Sequence, residues 1–205
     1  MPPRKPRVKV IRRLGTALPG LTRKQPEWKT YPPGQHGPAG GRRRKASTYK
    51  TRLEEKQKLR WNYGVSERQL RRYFDRAIKE SGPTGENLLA LLERRLDNVV
   101  FRLGLAPTIP AARQLVAHGH VRVNNHRLDR ASYLVDVGDS ITVGSRARNN
   151  PAVMQAVKHG PEIRLPSYLA LDPEDPFTGR VVGPPARNDV SLVVDEAAIV
   201  EFYAR

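Results

Sequence analysis

The amino-acid sequence predicts an α+β fold, and three observations carry the prediction. Apolar residues recur at helical spacing from Ser66 to about Gly119. The period then changes to short alternating runs, which read as two short helices packed on a small, mostly antiparallel sheet. Ahead of both lies a basic, extended arm rich in Pro, Gly and Arg.

The arm, residues 1–46, contains Pro2, Pro3, Pro6, Pro19, Pro26, Pro32 and Pro33 and shows no sustained period of 2 or 3.6, so it is expected to order only on its partner. Over 47–62 a weak helical pattern sets Leu53 and Leu59 among Lys50, Arg52, Lys56, Lys58 and Arg60. Ser66 and Gln69 have the spacing of a capping box, and Leu70, Tyr73, Phe74, Ala77 and Ile78 share one face until Ser81, Gly82 and Pro83 stop the helix. A third helix, capped by Thr84, is expected to run unbroken to Gly104 on the stripe Leu88, Leu89, Leu92, Leu96, Val99, Val100 and Leu103. Thr108 and Pro110 start a fourth, which turns Ala112, Leu115 and Val116 inward and ends at Gly119. Val121 and Val123 then alternate with Arg122 and Asn124, Asn124-Asn125 offers a tight turn, residues 133–135 form a short apolar run, and Gly138-Asp139 leads into Ile141, Thr142 and Val143. The remainder is Pro-rich and closes on a short helix over 195–203.

Charge narrows the function. The 205 residues have a formal net charge of +17, and residues 1–80 contain 23 Lys and Arg against 6 Asp and Glu, whereas the rest of the chain contains 14 of each. All the excess lies in the first two-fifths and needs a polyanion. Phosphate backbones fit, because Lys and Arg gain affinity by displacing condensed counterions. An anionic membrane would satisfy the same arithmetic, but the prolines break the amphipathic helix that membrane binding uses, and Trp28, Tyr31 and His36 supply rings that stack on bases. The absence of Cys excludes a disulfide framework, a catalytic thiol and thiolate metal sites. No apolar run approaches the roughly 18 residues of a membrane-spanning helix, and an intracellular, soluble protein is expected.

Specific strings point further. Tyr31-Pro-Pro-Gly-Gln-His-Gly37, Arg42-Arg-Arg-Lys45, Glu55-Lys-Gln-Lys-Leu-Arg60, Glu67-Arg-Gln-Leu-Arg-Arg-Tyr-Phe74, Leu92-Glu-Arg-Arg-Leu-Asp-Asn-Val-Val100, Ala112-Arg-Gln-Leu-Val116 and Ile199-Val-Glu-Phe-Tyr203 stand in an order that resembles the bacterial small-subunit ribosomal protein S-four family over nearly the whole chain. The resemblance implies that residues 94–157 form a small RNA-binding module inserted into a helical domain built from 47–93 and 165–205. It also implies direct binding of small-subunit ribosomal RNA at a multi-helix junction, nucleation of subunit assembly, and an influence on translational accuracy. Implied partners are the neighbouring proteins S-five and S-three and the chain's own messenger RNA. Many members carry four zinc-binding Cys near the amino terminus; here Val8 and Ile11 stand at the first pair, which implies a zinc-free variant without a cofactor. Ile109 replaces a frequent Arg and Asn125 a frequent Gly.

The expected RNA contacts are Tyr31, His36, Arg42, Arg43, Arg44 and Lys45 in the arm, Lys56, Lys58, Arg68, Arg71 and Arg72 in the helices, and Arg95, Arg113, Gln114, His118 and Asn124 in the module. Arg113, next to Ala112 and two residues before Leu115, is expected to project outward. His118 and His120 lack the third ligand of a metal site, and Asp172, Glu174 and Asp175 read as a solvated turn without a nucleophile nearby. An RNA-modifying enzyme carrying the same module is disfavoured because residues 146–205 are too few for a catalytic domain; an RNA chaperone is the other alternative.

Overall fold

The computed structural model describes residues 7–24, 31–35, 37 and 47–204. Part of the expected arm is folded. Arg7–Leu14 forms helix α1, whose Val10 and Ile11 are buried, and Leu18 and Leu21 follow them into the core. Ile11, at a position the resemblance gives to a zinc thiolate, thus fastens this segment by apolar contact. Gly20 completes the docking: its N–H donates to Asn62 Oδ1 at 3.0 Å and its carbonyl accepts the Ile109 N–H at 2.8 Å. A Cβ there would stand 2.6 Å from Ile109 Cδ1 and 2.7 Å from the Asn62 carbonyl oxygen, so the approach requires glycine.

Helix α2 (Thr48–Asn62) is capped by the Ser47 hydroxyl, which accepts the Lys50 N–H, and α3 (Glu67–Ala77) forms the expected Ser66–Gln69 capping box. Leu70, Phe74 and Ala77 are buried, but Ile78 is 56% exposed because it lies just past the last helical turn. The third helix departs from expectation. It starts at Thr84, with Pro83 in the cap position, and breaks into α4 (Thr84–Glu93) and α5 (Leu96–Arg102). Arg95 is extended and bridges Leu134, while the Leu96 and Asp97 N–H groups donate to the Tyr133 and Ala131 carbonyls. A loop from 131–134 therefore satisfies the start of α5, and the apolar run expected at 133–135 makes an isolated bridge instead of a strand.

In α6 (Ile109–Ala117) the Thr108 hydroxyl accepts the Ala111 N–H, as expected of an N-cap. Strands β1 (Val121–Val123), β2 (His126–Leu128), β3 (Ser140–Val143), β4 (Leu169–Leu171) and β5 (Thr178–Val181) form one antiparallel sheet in the order β2-β1-β3-β5-β4. Asn124 and Asn125 close the β1–β2 hairpin with φ of 49° and 68°, the left-handed pair that a two-residue turn demands. Helices α7 (Ser145–Arg148) and α8 (Pro151–His159) follow β3, and α9 (Glu196–Tyr203) ends the chain's regular structure.

The Pro-rich tail is divided. The resemblance assigns it to the helical domain, and α9 does pack on α2 and α4. Its β4 and β5, however, extend the module's sheet, with Ser140 opposite Arg180 and Thr142 opposite Thr178. Both strands are only three or four residues long, so no alternating pattern announces them.

One apolar core runs through both halves. At its centre lies Glu93, the last residue of α4, with 0% exposure. It accepts the Tyr63 hydroxyl at 2.6 Å, the Tyr168 hydroxyl at 2.8 Å, Asn98 Nδ2 at 2.7 Å and Arg102 Nη2 at 2.7 Å. A buried carboxylate is tolerated only with such complete pairing. Burial, reinforced by the facing Glu93 charge, pushes the Tyr63 and Tyr168 hydroxyls well above their ordinary range.

Candidate nucleic-acid interface

The basic helices present two different surfaces. The outward face of α3 carries Arg68 and Arg72, both exposed and without an ion-pair partner among the described residues. Arg71 shares that face, 3.5 Å from Asp75, with its guanidinium 5.6 Å from the Tyr203 ring centroid. A second surface is a groove of about 820 Å³ between α2, α3 and α9, lined by Tyr49, Arg52, Arg60, Phe202 and Tyr203 among others. It shares Arg68 and Arg71 with the α3 face, and part of its charge is internal: Arg52 pairs with Glu201, and Lys56 Nζ lies 2.9 Å from Glu67 Oε1 and 4.4 Å from the Phe202 ring centroid. The Tyr203 hydroxyl donates to the same Glu67, and burial with that carboxylate raises its pKa.

The other expected contacts divide by burial. Tyr31 is exposed and lies beneath Arg12, whose guanidinium is 5.0 Å from the ring centroid and donates to the Tyr31 carbonyl at 3.0 Å. His36, Arg42, Arg43, Arg44 and Lys45 lie outside the described residues. Lys58 is held 2.5 Å from Glu55. Gln114 and His118 are exposed along α6 and at its end, with the His118 ring 6.0 Å from that of His120.

Four expected contacts have polar groups already engaged within the chain, with Lys56 and Arg95 buried, Arg113 half-buried and Asn124 exposed. Lys56 is buried on Glu67. Arg95 is buried with Nη2 2.7 Å from Asp97 Oδ2 and Nη1 2.6 Å from the Tyr73 hydroxyl; burial would lower its pKa, but the Asp97 charge and the hydrogen bonds to Asp97 and Tyr73 together raise it. Arg113 does not project into solvent: its Nη2 lies 2.6 Å from Asp97 Oδ2, and Nη1 donates to the Gly64 carbonyl at 2.6 Å. The outward side of α6 at this turn faces the end of α2. Asn124 staples the hairpin, with Nδ2 donating to Asp139 Oδ1 at 2.7 Å and Oδ1 accepting the Ser140 N–H at 2.9 Å.

Comparison with known proteins decides the family. Residues 3–93 match the ribosomal protein S4/S9 N-terminal domain, and residues 94–141 match the S4 domain. The chain is 54% identical over 202 residues to the small ribosomal subunit protein uS4 of Thermosynechococcus vestitus, covering 98% of this chain and 97% of that one. It is 50% identical, with the same coverage, to the uS4 protein of Synechocystis sp.. The chain belongs to the uS4 family of small ribosomal subunit proteins. The helical and antiparallel architecture is that of a uS4 chain with its S4 domain, as the resemblance implied.

Two arginines of this uS4 chain are absent from the contacts expected from sequence. Arg122 on β1 and Arg127 on β2 are both exposed and stand directly opposite each other in the register, hence on one face of the sheet. Neither has an acidic partner within ion-pair distance among the described residues, and like charges so placed repel. The Arg127 guanidinium also donates to the His118 carbonyl at 3.4 Å, which brings this pair beside the end of α6. The alternation of Val121, Arg122 and Val123 is the available signal, since it puts Arg122 on the solvent face.

Proposed function

We propose that the chain is a structural constituent of the small ribosomal subunit that binds its ribosomal RNA directly, clamping a multi-helix junction through shape and phosphate contacts and so nucleating assembly. The observation that supports this most is the unneutralised charge of α3, where Arg68 and Arg72 have no carboxylate among the described residues to give up on meeting a phosphate. Arg71, Gln114, His118 and the Arg122–Arg127 pair extend the contact surface, together with Tyr31, His36 and residues 42–45 of the arm. A-form RNA hides its major groove, so separated basic faces suit the arrangement of helices better than duplex sequence.

The groove between α2 and α9 suits a protein partner. Two of its cations, Arg52 and Lys56, are already paired, and Tyr49, 59% exposed, and Phe202 give it an aromatic wall. Of the neighbours implied by the resemblance, S-five or S-three would dock there. The same basic surfaces would bind the chain's own messenger RNA, and the protein would act in the cytoplasm, bound to the ribosome, with its influence on translational accuracy arising from placement and not from catalysis.

Hydroxyl-radical footprinting on small-subunit ribosomal RNA, with a peptide of matched charge as control, tests the reading. Discrete protection around one junction at sub-micromolar protein is the expected result. Protection no more localised than that of the peptide would refute it.

A further inference from the structure

We propose that Arg113 is a positioning residue: it locks the module against the helical domain at one angle, so that their separate RNA-facing surfaces are presented already aligned. The inference rests on the RNA-binding reading above and deepens it from what is bound to how.

A single planar group makes the lock. From α6, the Arg113 guanidinium reaches Asp97 Oδ2 on α5 through Nε at 3.1 Å and Nη2 at 2.6 Å. It also donates to the carbonyls at the end of α2, from Nη1 to Gly64 at 2.6 Å and from Nη2 to Tyr63 at 3.1 Å. The Tyr63 carbonyl, at the cap of α2, is an orphan acceptor of the helix C-terminus, where the helix dipole also favours a cation. The site is built to receive the fork. Asp97 has 0% exposure, its other side-chain partner among the described residues is the buried Arg95, and the Arg113 side chain is only 23% exposed. Gly64 has a φ of 61°, and a Cβ added there would lie 3.3 Å from Arg113 Nη1, so the residue that turns the chain also clears the space.

The consequence is mechanical. A guanidinium satisfies a carboxylate and two carbonyls at once only in one relative placement of α2, α5 and α6, which a lysine's single ammonium does not enforce. With the joint fixed, a junction of RNA helices meets α3 and the module's outer face together, and no ordering cost is added on binding. With the joint loosened, each face keeps its phosphate contacts but the pair must be aligned by the RNA.

The test uses the full chain, which contains no Cys, so two introduced cysteines at exposed positions carry spin labels: Ser81→Cys just beyond α3 and Asp129→Cys beyond β2. In the Arg113→Ala background the inter-label distance distribution of the free protein should broaden. Affinity for small-subunit ribosomal RNA should fall on the order of 10-fold, while the slope of log affinity against log salt stays at its wild-type value. If Arg113 were a phosphate contact instead, that slope would shrink by about 0.9 with the distance distribution intact, and the proposal would be overturned. A broadened distribution with undiminished affinity would overturn it equally. Should Arg113→Ala fail to fold, Arg113→Lys keeps the charge for Asp97 but not the bridge to α2, and the same readouts apply. Because distances are measured without RNA, a protein that bound no ribosomal RNA would fail the reading above, and the lock would be decided on the distances alone.

Discussion

The Tyr168 hydroxyl donates to Glu93 Oε2 at 2.8 Å and joins the chain before β4 to the end of α4 across 75 residues of sequence. The other Glu93 oxygen receives Tyr63 from the end of α2. One carboxylate thus connects the first helices, the module and the tail, and it is neutralised by Arg102 from the next helix.

Glu93→Gln should therefore be among the most damaging single-atom changes in the protein. It leaves the Arg102 guanidinium buried without its counter-charge, an uncompensated state that costs about 3 to 5 kcal/mol. Tyr168→Phe removes one hydrogen bond to the same carboxylate and should cost about 0.5 to 1.5 kcal/mol. Urea unfolding of both variants checks the ranking; a Glu93→Gln loss no larger than that of Tyr168→Phe would mean that Glu93 and Arg102 do not act as a pair.

The two tyrosines also set an alkaline limit. Burial and then the Glu93 charge raise their pKa values in the folded protein, whereas in the unfolded chain they titrate near about 10. Groups raised on folding stabilise fully below the unfolded pKa, and that contribution is lost as pH climbs above it. Stability should accordingly hold to about pH 10 and fall beyond. In a Tyr63→Phe/Tyr168→Phe double variant the decline should be shallower, as read from unfolding free energies across the alkaline range. Parallel curves for the two proteins would count against these residues as the source.

Gly20→Ala tests whether the amino-terminal segment belongs to the fold. The added methyl meets Ile109 Cδ1 and the Asn62 carbonyl oxygen well inside contact distance. Overpacking of this kind costs about 1 to 3 kcal/mol, and the loss should appear as faster hydrogen exchange at the Ile109 N–H, which donates to the Gly20 carbonyl. Wild-type exchange at Ile109 would show that the segment is merely draped on α2.

What the sequence made legible was mostly local. The Ser66–Gln69 capping box, the Thr108 cap and the Asn124-Asn125 turn each rest on a few neighbouring residues, and all three formed. The break at Arg94-Arg95 was hidden, because a loop about 40 residues downstream supplies the partners that end the helix. The arm's helix α1 was obscured by the prolines on either side of it. Arg113 shows a subtler gap. Periodicity turns it away from Ala112 and Leu115, but away from one packed face need not mean toward solvent when α2 lies on the other side. The unpaired charge on the sheet, by contrast, becomes visible only when register sets Arg122 opposite Arg127.

That pair yields a prediction in which stability and function move in opposite directions. Two cations facing across adjacent strands repel in the free protein, at a cost on the order of 0.2 to 1 kcal/mol, and nothing acidic within ion-pair reach among the described residues relieves them. A bound phosphate would. Arg122→Ala should therefore leave the free protein as stable as wild type or slightly more so, while its affinity for small-subunit ribosomal RNA drops and the salt slope shrinks by about 0.9 for each phosphate no longer neutralised. Arg127→Ala should show a smaller stability gain, because the Arg127 guanidinium also donates to the His118 carbonyl at the end of α6 and that hydrogen bond disappears with it. Thermal melting and RNA titration at several salt concentrations, carried out on both variants, separate the two effects. An unchanged salt slope in Arg122→Ala would remove the sheet face from the interface and leave α3 and the arm to carry the electrostatic part of binding.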